Sequence, residues 1–421
     1  MSDKQRRDLV DAFDPNELDS TFYEDPYPTY EALRTLDPVH RCKDGSFFLT
    51  RYSDLDHIYR DRTGFSSDKR SVFAPKFGVD SPLFEHHTTS LVFNDAPYHT
   101  RVRRHIVEAL TPQVLRGMEP QLITLVDGLL DKIEDQGRVD LIENFAAAIP
   151  VEVIGNLLEV PHEDRGPLRA WSLAILGALE PRLTEQQQEA GNRAVREFTD
   201  YLRILVSHRR ANPSDDDLLS GLLRESDFSP AELLHNCIFL LNAGHETTTN
   251  LIGNSLALLL AHSDAINQLR DQPELIVTAI EECLRLESPN QLGNRLVVQQ
   301  RQIGGVNLEP GTYLTLCIGA ANRDPIAFPK PDEFLIGRKP NRHLAFAAGS
   351  HACAGMSVAR LEARIAILRL ILRFPNMHLT GERLRGGRAR FRGFRELWAE
   401  IATSAKKGRQ VVRLIRERPR T

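Results

Sequence analysis

The chain of 421 residues lacks any long apolar run. Its first residues, MSDKQRRDLVDAF, include no stretch that suits a signal peptide or an anchor. No later segment approaches the roughly 20 apolar residues that a membrane span requires. The sequence therefore predicts a cytoplasmic protein without a transmembrane anchor.

Cysteine is scarce, and its five positions are scattered: Cys42, Cys237, Cys283, Cys317 and Cys353. An odd, dispersed set is typical of a reducing compartment rather than of a disulfide framework. No two cysteines form a CxxC pair, so zinc-ribbon and iron–sulfur sites lack their usual ligands. What remains is a set of single thiols, each to be judged by its surroundings.

A strong overall charge is also absent, since the formal net charge is -4 and the pI is about 6.4. This balance gives no indication of nucleic-acid binding. Basic residues nevertheless concentrate late in the chain, at Arg383, Arg385, Arg388, Arg390, Arg392 and Arg395 and again beyond residue 403. We interpret residues 403–421 as a solvated tail, with an acidic partner or a membrane surface as the alternative.

Three helices stand out. The first has a capping box at Ser229 and Glu232, with Pro230 at its first turn. It continues to about Ala261, which makes it roughly 48 Å long, and it is apolar enough to cross the protein interior. A second helix is predicted over Pro273 to Glu287. Short strands are predicted at Phe47 to Tyr52 and between Gln291 and Leu316.

The third helix follows Cys353. Its apolar residues recur every three or four positions, which predicts one buried stripe made of Val358, Leu361, Ile365, Leu368 and Leu372.

The loop before this third helix carries the strongest chemical signal, FAAGSHACAG. Gly349 and Gly355 permit a backbone that wraps closely around a flat partner, and Phe346 can shield the sulfur of Cys353 from water. The sulfur would lie at a helix N-terminus, which favours a thiolate. A buried free cysteine is one alternative. A zinc site with His343 and His351 is another, but it lacks a fourth ligand.

The segment from Phe346 to Gly355 resembles the heme-binding loop of the cytochromes P-450, with Ala347 where the family usually has glycine. The resemblance implies one heme b per chain with Cys353 as axial iron ligand. It also implies a single, mainly α-helical domain with a small β-rich part over residues 22–402, preceded by an extension at 1–21. The heme would lie between the long helix and the cysteine loop.

Two further motifs resemble those of the family. Ala243, Gly244, Glu246 and Thr247 match its oxygen-activation motif, in which small residues leave room for O₂ and the acid and hydroxyl deliver protons. Thr248 could share the role of Thr247. Packing of a buried polar pair is the alternative, and the HExxH zinc motif fails because position 249 is Thr249.

The second motif is the ExxR pair Glu282 and Arg285, which the family joins to a segment near Arg338 to brace the cysteine loop. Glu31–Arg34 and Glu382–Arg385 have the same spacing, so an ordinary surface ion pair is the alternative.

The resemblance also assigns the heme propionates. In this family two carboxylates are held by His99, Arg103, Arg295 and His351, and buried carboxylates do require charged or strongly donating partners. Each of these residues taken alone could be an ordinary surface residue.

The chain has no flavin, dinucleotide or iron–sulfur motif of its own. Resemblance to soluble bacterial members therefore implies a monooxygenase that receives electrons from NAD(P)H through a ferredoxin and its reductase. Arg101, Arg104 and Arg364 could form the landing surface, with simple solvation as the alternative. Peroxide-driven oxygenation and heme binding without turnover are the alternative functions.

The substrate is expected to be a small, mostly apolar compound: a terpenoid first, then a steroid, fatty acid or aromatic. We expect Leu240, Ala243, Gly244, Leu292 and Phe394 to line its pocket. Residues 71–93 and 165–210 are expected to form the roof.

Overall fold

The structure is a computed structural model that describes residues 1–108, 110–212, 218–224 and 227–401. The basic tail predicted at 403–421 lies outside these residues.

Helices dominate the described chain. The α-helices are α1 (Asp3–Ala12), α2 (Ser20–Glu24), α3 (Tyr27–Leu36), α4 (Tyr52–Arg60), α5 (Arg70–Phe77), α6 (Pro82–Thr89), α7 (Tyr98–Glu108), α8 (Pro112–Ile133), α9 (Ala148–Leu157), α10 (Leu168–Gly177), α11 (Glu185–Ala211), α12 (Leu218–Arg224), α13 (Pro230–Leu260), α14 (Ser263–Asp271), α15 (Ile276–Leu286), α16 (Ile318–Ala321) and α17 (Met356–Arg373).

The strands are short and form a separate, smaller region. They are β1 (Val39–Arg41), β2 (Phe47–Leu49), β3 (Phe65–Ser66), β4 (Arg138–Asp140), β5 (Leu292–Val297), β6 (Arg301–Ile303), β7 (Val306–Leu308), β8 (Tyr313–Cys317), β9 (His378–Arg385) and β10 (Phe394–Glu400). One sheet has the order β1-β2-β8-β5-β3, another β4-β10-β9, and β6 pairs with β7. This arrangement confirms the mainly helical fold with a small β-rich part.

The long helix α13 begins where the capping box predicts. Ser229 accepts a hydrogen bond from the Glu232 amide, and the Glu232 side chain accepts one from the Ser229 amide. The helix contacts α9, α10, α11, α15 and α17, so it lies in the middle of the helical region. Its many apolar residues are explained by this central position, because contacts surround it on most sides.

The prediction for α17 was only partly right. The helix follows Cys353 as expected, and Val358 and Leu361 are buried, but Ile365, Leu368 and Leu372 are only partly buried. The fully buried face instead carries Ala363, Ala366, Ile367, Leu370 and Ile371. Helix α17 packs against α8, α13 and α15, so it is buried over more than one narrow stripe. The 3–4 spacing therefore identified residues at the border of the buried face rather than at its centre.

The N-terminal segment packs onto the rest of the fold rather than standing apart. Helix α1 contacts α3, and Arg6 Nη2 lies 2.9 Å from Glu31 Oε1. Phe13 is buried, with its ring 4.9 Å from that of Phe48. Within the described residues, no helix combines the length and the apolar character that crossing a bilayer requires.

Candidate active site

The cysteine loop is closed by its own backbone. The Cys353 amide donates to the Phe346 carbonyl at 2.9 Å, and the Ala352 amide donates to the Gly349 carbonyl at 3.2 Å. Gly349 has φ +69°, and a Cβ there would collide with the carbonyl oxygen of Tyr59. Glycine is therefore required at this position for both its conformation and its close approach to α4.

Ala347 occupies the left-handed region, with φ +55°. An alanine pays a steric cost there that glycine avoids. The structure thus explains why glycine is favoured at this position of the resembling loop. Ala347 keeps the left-handed backbone conformation that glycine would adopt, so the replacement of glycine by alanine leaves local backbone strain.

The thiol of Cys353 is enclosed by protein. Burial raises the pKa of Cys353, while the amide of Gly355 and the charges of Arg103 and Arg360 act in the opposite direction. The helix N-terminus alone therefore does not produce the thiolate expected from sequence. A coordinating metal deprotonates a thiol outright, so the site suits a metal-bound sulfur.

Phe346 is held beside this loop by a charged side chain. The guanidinium of Arg360 lies 4.7 Å from the centre of its ring. Arg360 in turn donates twice to Glu281, at 2.7 Å each. This arrangement orients the Phe346 ring and links the loop to α15.

A cavity separates the cysteine loop from α13. Its wall includes Cys353 on one side and Ala243, Gly244, Thr247 and Thr248 on the other. Ala243 and Thr247 are not buried although they lie in the middle of a central helix, because they face this cavity. Gly244 lets Ile154 of α9 pack closely, since a Cβ there would lie 2.5 Å from its side chain. Its small size thus serves helix packing as well as open space.

The acid and the hydroxyl of the α13 motif point in different directions. Thr247 Oγ1 donates to the Ala243 carbonyl at 2.8 Å. Glu246 is buried behind the cavity, and Arg388 Nη1 lies 2.5 Å from its Oε1. Burial raises the pKa of Glu246, and Arg388 partly offsets this effect. The resulting pKa is about 7. Its Oε2 has no hydrogen-bond partner in the described part of the chain.

Four basic side chains meet at another part of the same cavity wall, namely His99, Arg103, Arg295 and His351. The two imidazole rings are 3.9 Å apart, and His351 Nε2 lies 3.7 Å from Asp95 Oδ1. Burial, followed by the neighbouring His351 and Arg103, lowers the pKa of His99 to about 4. Arg295 donates to the Asn294 carbonyl at 2.8 Å and lies 5.1 Å from the centre of the Tyr59 ring. The cluster has more positive charge than Asp95 can balance, so it suits an anionic ligand.

The ExxR pair is a fully buried network. Arg285 Nε and Nη2 donate to Glu282 at 2.8 Å each, and Arg338 Nε reaches the same carboxylate at 3.0 Å. Glu282 also accepts from the Leu335 amide and from Asn341 Nδ2, at 3.0 and 3.1 Å. The network joins α15 to the segment that leads into the cysteine loop. The other two ExxR matches differ, because Glu31 pairs with Arg6 and Glu382 pairs with Arg138 at the surface.

Comparison with known proteins decides the family. The family model described as cytochrome P-450 matches residues 175–274 and 270–382. A biotin biosynthesis cytochrome P-450 of Bacillus subtilis (strain 168) is 36% identical, with the match covering 86% of this chain and 92% of that protein. A vitamin D(3) 25-hydroxylase of Pseudonocardia autotrophica is 37% identical, covering 86% and 89%.

A solved structure agrees. P-450BioI in complex with acyl carrier protein ligated with hexadec-9Z-enoic acid has a TM-score of 0.87 at 34% identity. The match covers 91% of this chain and 100% of that one. This chain belongs to the cytochrome P-450 family. It is an oxidoreductase of the monooxygenase type that binds heme b.

The cavity fits the cofactor of a cytochrome P-450 in its chemistry. A heme b needs a soft axial donor, flat apolar walls and partners for two carboxylates. Cys353, the small residues of α13 and the four-residue basic cluster provide these three features around one space. The observation that carries this fit is the positive charge of Arg103 and Arg295, which Asp95 balances only in part among the residues that the structure describes.

The predicted substrate pocket needs correction. Leu240, Ala243 and Gly244 line the cavity and Phe394 does not, while Leu292 lines a neighbouring outer cavity instead. Leu292 packs against the N-terminal core, and Phe394 belongs to the main core beneath Arg385. Phe391 reaches the cavity instead, since a bridge to Asn290 turns its segment inward. Of the residues expected to form the roof, several within 86–93, together with Leu176 and Leu179, line the cavity.

Sequence reasoning also missed the roles of two arginines, and the structure gives a third, Arg101, an intramolecular partner. Arg388, the partner of Glu246, and Arg390, in the cavity wall, were noticed only as members of a basic cluster. Their positions depend on a loop between β9 and β10 that no local pattern locates. Arg101 pairs with Glu232 at 2.6 Å and stacks over Tyr98, so its charge is already compensated.

Proposed function

We propose that this cytochrome P-450 hydroxylates a small, mostly apolar organic compound. It uses O₂ and electrons from NAD(P)H that reach it through a ferredoxin and a ferredoxin reductase. The carrying observation is the placement of Cys353 and Thr247 on opposite sides of one cavity. We also propose a cytoplasmic location, for which the scattered cysteines are the support.

In this proposal Cys353 is the axial iron ligand, and Phe346, Gly349 and Gly355 shape its loop. When bound, the heme supplies oxygen activation, which a thiolate ligand favours. His99, Arg103, Arg295 and His351 hold the two propionates through charge-assisted hydrogen bonds. Glu282, Arg285 and Arg338 are structural, because they fix the segment that leads into the loop.

Thr247 is proposed to hold a water molecule in the cavity and so to position a proton there. Its hydroxyl bonds to the Ala243 carbonyl, which leaves its oxygen lone pairs open to the cavity. Glu246 is proposed to supply protons to this point. A carboxyl with a pKa near 7 can both gain and lose a proton at neutral pH, which is what a relay requires.

The electron donor is proposed to dock on the cysteine side of the molecule. Arg104 is exposed and Arg364 is half-buried, while Arg101 is engaged elsewhere. We therefore reduce the expected landing surface to Arg104 and Arg364. Glutamate at either position should slow electron transfer and weaken its dependence on salt, because long-range attraction is lost. Unchanged rates in stopped-flow reduction would contradict this surface.

Labelled oxygen tests the reaction itself. The holoenzyme is supplied with NADPH, a surrogate ferredoxin and reductase, ¹⁸O₂ and one of four probes: limonene, testosterone, hexadecanoic acid or naphthalene. We expect a hydroxylated product that carries a single labelled oxygen atom. Product formed only with hydrogen peroxide would indicate a peroxygenase. Absence of product under both conditions, with all probes, would favour heme binding without turnover.

A further inference from the structure

Arg390 of the late basic cluster, like Arg383, has no counter-ion among the residues that the structure describes. Four of its neighbours have carboxylate partners: Arg385 and Arg392 contact Glu287, Arg388 contacts Glu246 and Arg395 contacts Glu396. Arg383 is exposed to solvent. Arg390 is half-buried, and its Nε has no hydrogen-bond partner in the described part of the chain.

The backbone holds Arg390 firmly in place. Its amide donates to Glu180 Oε2 at 3.1 Å, and its carbonyl accepts from the Gln291 amide at 2.8 Å. The loop between β9 and β10 is thereby attached on both sides. The side chain can therefore present its charge at a defined point rather than moving freely in solvent.

Lys76 of α5 adds a second, nearby cation. Its Nζ donates to the Glu180 backbone carbonyl at 2.6 Å, but no carboxylate lies within ion-pair distance among the described residues. Burial, and to a smaller extent the charge of Arg390, lower the pKa of Lys76 to about 8, while Glu180 acts in the opposite direction. The positive charges of Lys76 and Arg390 also act on His87. Burial first, and then these two charges, lower the pKa of His87 to about 3.

These two cations lie where an outer cavity meets the heme cavity. Lys76 and Arg390 both line the outer cavity, together with Val72, Pro181 and Tyr313. Arg390, Leu179, Gly293 and Asn294 line both cavities. Arg390 thus stands at the boundary, with the apolar heme cavity on its inner side.

Nearby acids balance only part of this charge. Glu180 accepts from the Ala389 and Arg390 amides with Oε2, and its negative charge acts on Lys76, but one carboxylate cannot balance both Lys76 and Arg390. Asp44, which also lines the outer cavity, accepts from Ser46. Lys69 lies nearby, 5.8 Å from the ring of Tyr313, but burial holds its pKa well below the usual range, so it adds no firm positive charge. Partial burial of a cluster with excess positive charge costs free energy unless a bound anion compensates the charge.

We infer that Lys76 and Arg390 bind the carboxylate of the substrate, which is an apolar molecule with one free carboxylic acid group. This inference rests on the proposed function and narrows its substrate class. The carboxylate lies at the boundary between the two cavities, and the apolar body extends over Leu240 and Ala243 toward Thr247. Hydroxylation consequently falls on a carbon remote from the carboxyl group.

The test compares an acid with its uncharged ester. Hexadecanoic acid and methyl hexadecanoate are titrated into the ferric holoenzyme, and binding is read from the shift of the heme Soret band. We expect the acid to bind about tenfold or more tightly than the ester, as for a hydrogen bond to a charged group. In Arg390→Gln and Lys76→Gln the affinity for the acid should fall, while that for the ester should stay unchanged. The ratio of the affinity for the acid to that for the ester should therefore be smaller in these variants than in the wild type.

Arg383→Gln is the matched control, since it removes an exposed arginine from the neighbouring strand β9. It should leave both affinities unchanged. Equal affinity of wild type for acid and ester would overturn the inference, as would an acid affinity that survives in both variants. Neither result affects the heme-thiolate assignment, which is read separately from the carbon monoxide spectrum of the same preparations. Gas chromatography of the product tests the remote position of the hydroxyl group.

Discussion

Arg388 Nη1 lies 2.5 Å from Glu246 Oε1, which joins the loop before β10 to the middle of α13. This contact holds the acid behind the cavity wall. Burial raises the pKa of Glu246 to about 7, and the arginine limits the rise. The protonation of Glu246 therefore depends on a residue that is 142 positions away in the sequence.

Removing this arginine should shift the pH profile of turnover. If protonated Glu246 delivers protons, activity is present below about pH 7 and declines as the pH rises through its pKa. In Arg388→Gln the pKa rises further, because a stabilising positive charge is lost, so the decline moves to higher pH. Product formation between pH 6 and 9 measures this shift.

Glu246→Gln should abolish the same limb of the profile. It should also lower turnover by about 100-fold or more, a magnitude typical for loss of a general acid. Thr249→Val is the control, since its hydroxyl bonds to the His245 carbonyl on the same helix. A profile that is identical in wild type and Arg388→Gln would exclude control of Glu246 by Arg388.

The buried ExxR network predicts a large loss of stability. Glu282→Gln leaves Arg285 and Arg338 without their anion, and removal of one partner of a buried ion pair costs about 3–5 kcal/mol. Urea unfolding of the holoprotein measures the change. Glu382→Gln is the matched control, because it removes an acid of the same sequence motif that pairs only with exposed Arg138. Similar losses in the two variants would contradict the structural role.

Ala347→Gly should stabilise the protein. The φ of +55° strains alanine but not glycine, so we expect a gain of about 0.5–1 kcal/mol after the entropy of the unfolded chain is included. Ala348→Gly is the control, since its φ of -146° is ordinary extended backbone. That variant should be destabilised. The opposite order of melting temperatures would show that Ala347 is not strained.

Arg103 and Arg104 give a matched pair for the propionate site. Arg103 lines the heme cavity, whereas its neighbour Arg104 is exposed. Arg103→Leu should speed transfer of heme to apomyoglobin by about tenfold or more, the effect of losing one charge-assisted hydrogen bond. Arg104→Leu should leave the rate unchanged. Equal rates in wild type and both variants would remove Arg103 from the propionate site.

Much of this account could be predicted from local sequence patterns. The capping box located the start of α13, and the spacing of glycines around Cys353 indicated a tightly wrapped loop. These features depend on residues close together in the chain. Glu282 and Arg285 are also close together in the chain. Two other pairs have the same ExxR spacing, and burial distinguishes Glu282 and Arg285 from them. Spacing alone does not determine burial.

Other features depend on tertiary packing and were missed. Phe394 was expected in the pocket, yet it packs in the main core, and Phe391 lines the heme cavity instead. Leu292 lines the outer cavity rather than the heme cavity. Arg388 and Arg390 lie two residues apart but face Glu246 and the outer cavity, respectively. No period in the sequence separates these roles, because an irregular loop sets the direction of each side chain.

The visible spectrum of the reduced holoprotein after exposure to carbon monoxide tests the central assignment most directly. We predict a strongly red-shifted Soret band, typical of thiolate ligation, that disappears in Cys353→Ser and persists in Cys42→Ser, which replaces a buried cysteine outside the heme cavity. A band at the position typical of histidine-ligated heme, or a red-shifted band that survives in Cys353→Ser, would contradict the assignment of Cys353 as the iron ligand.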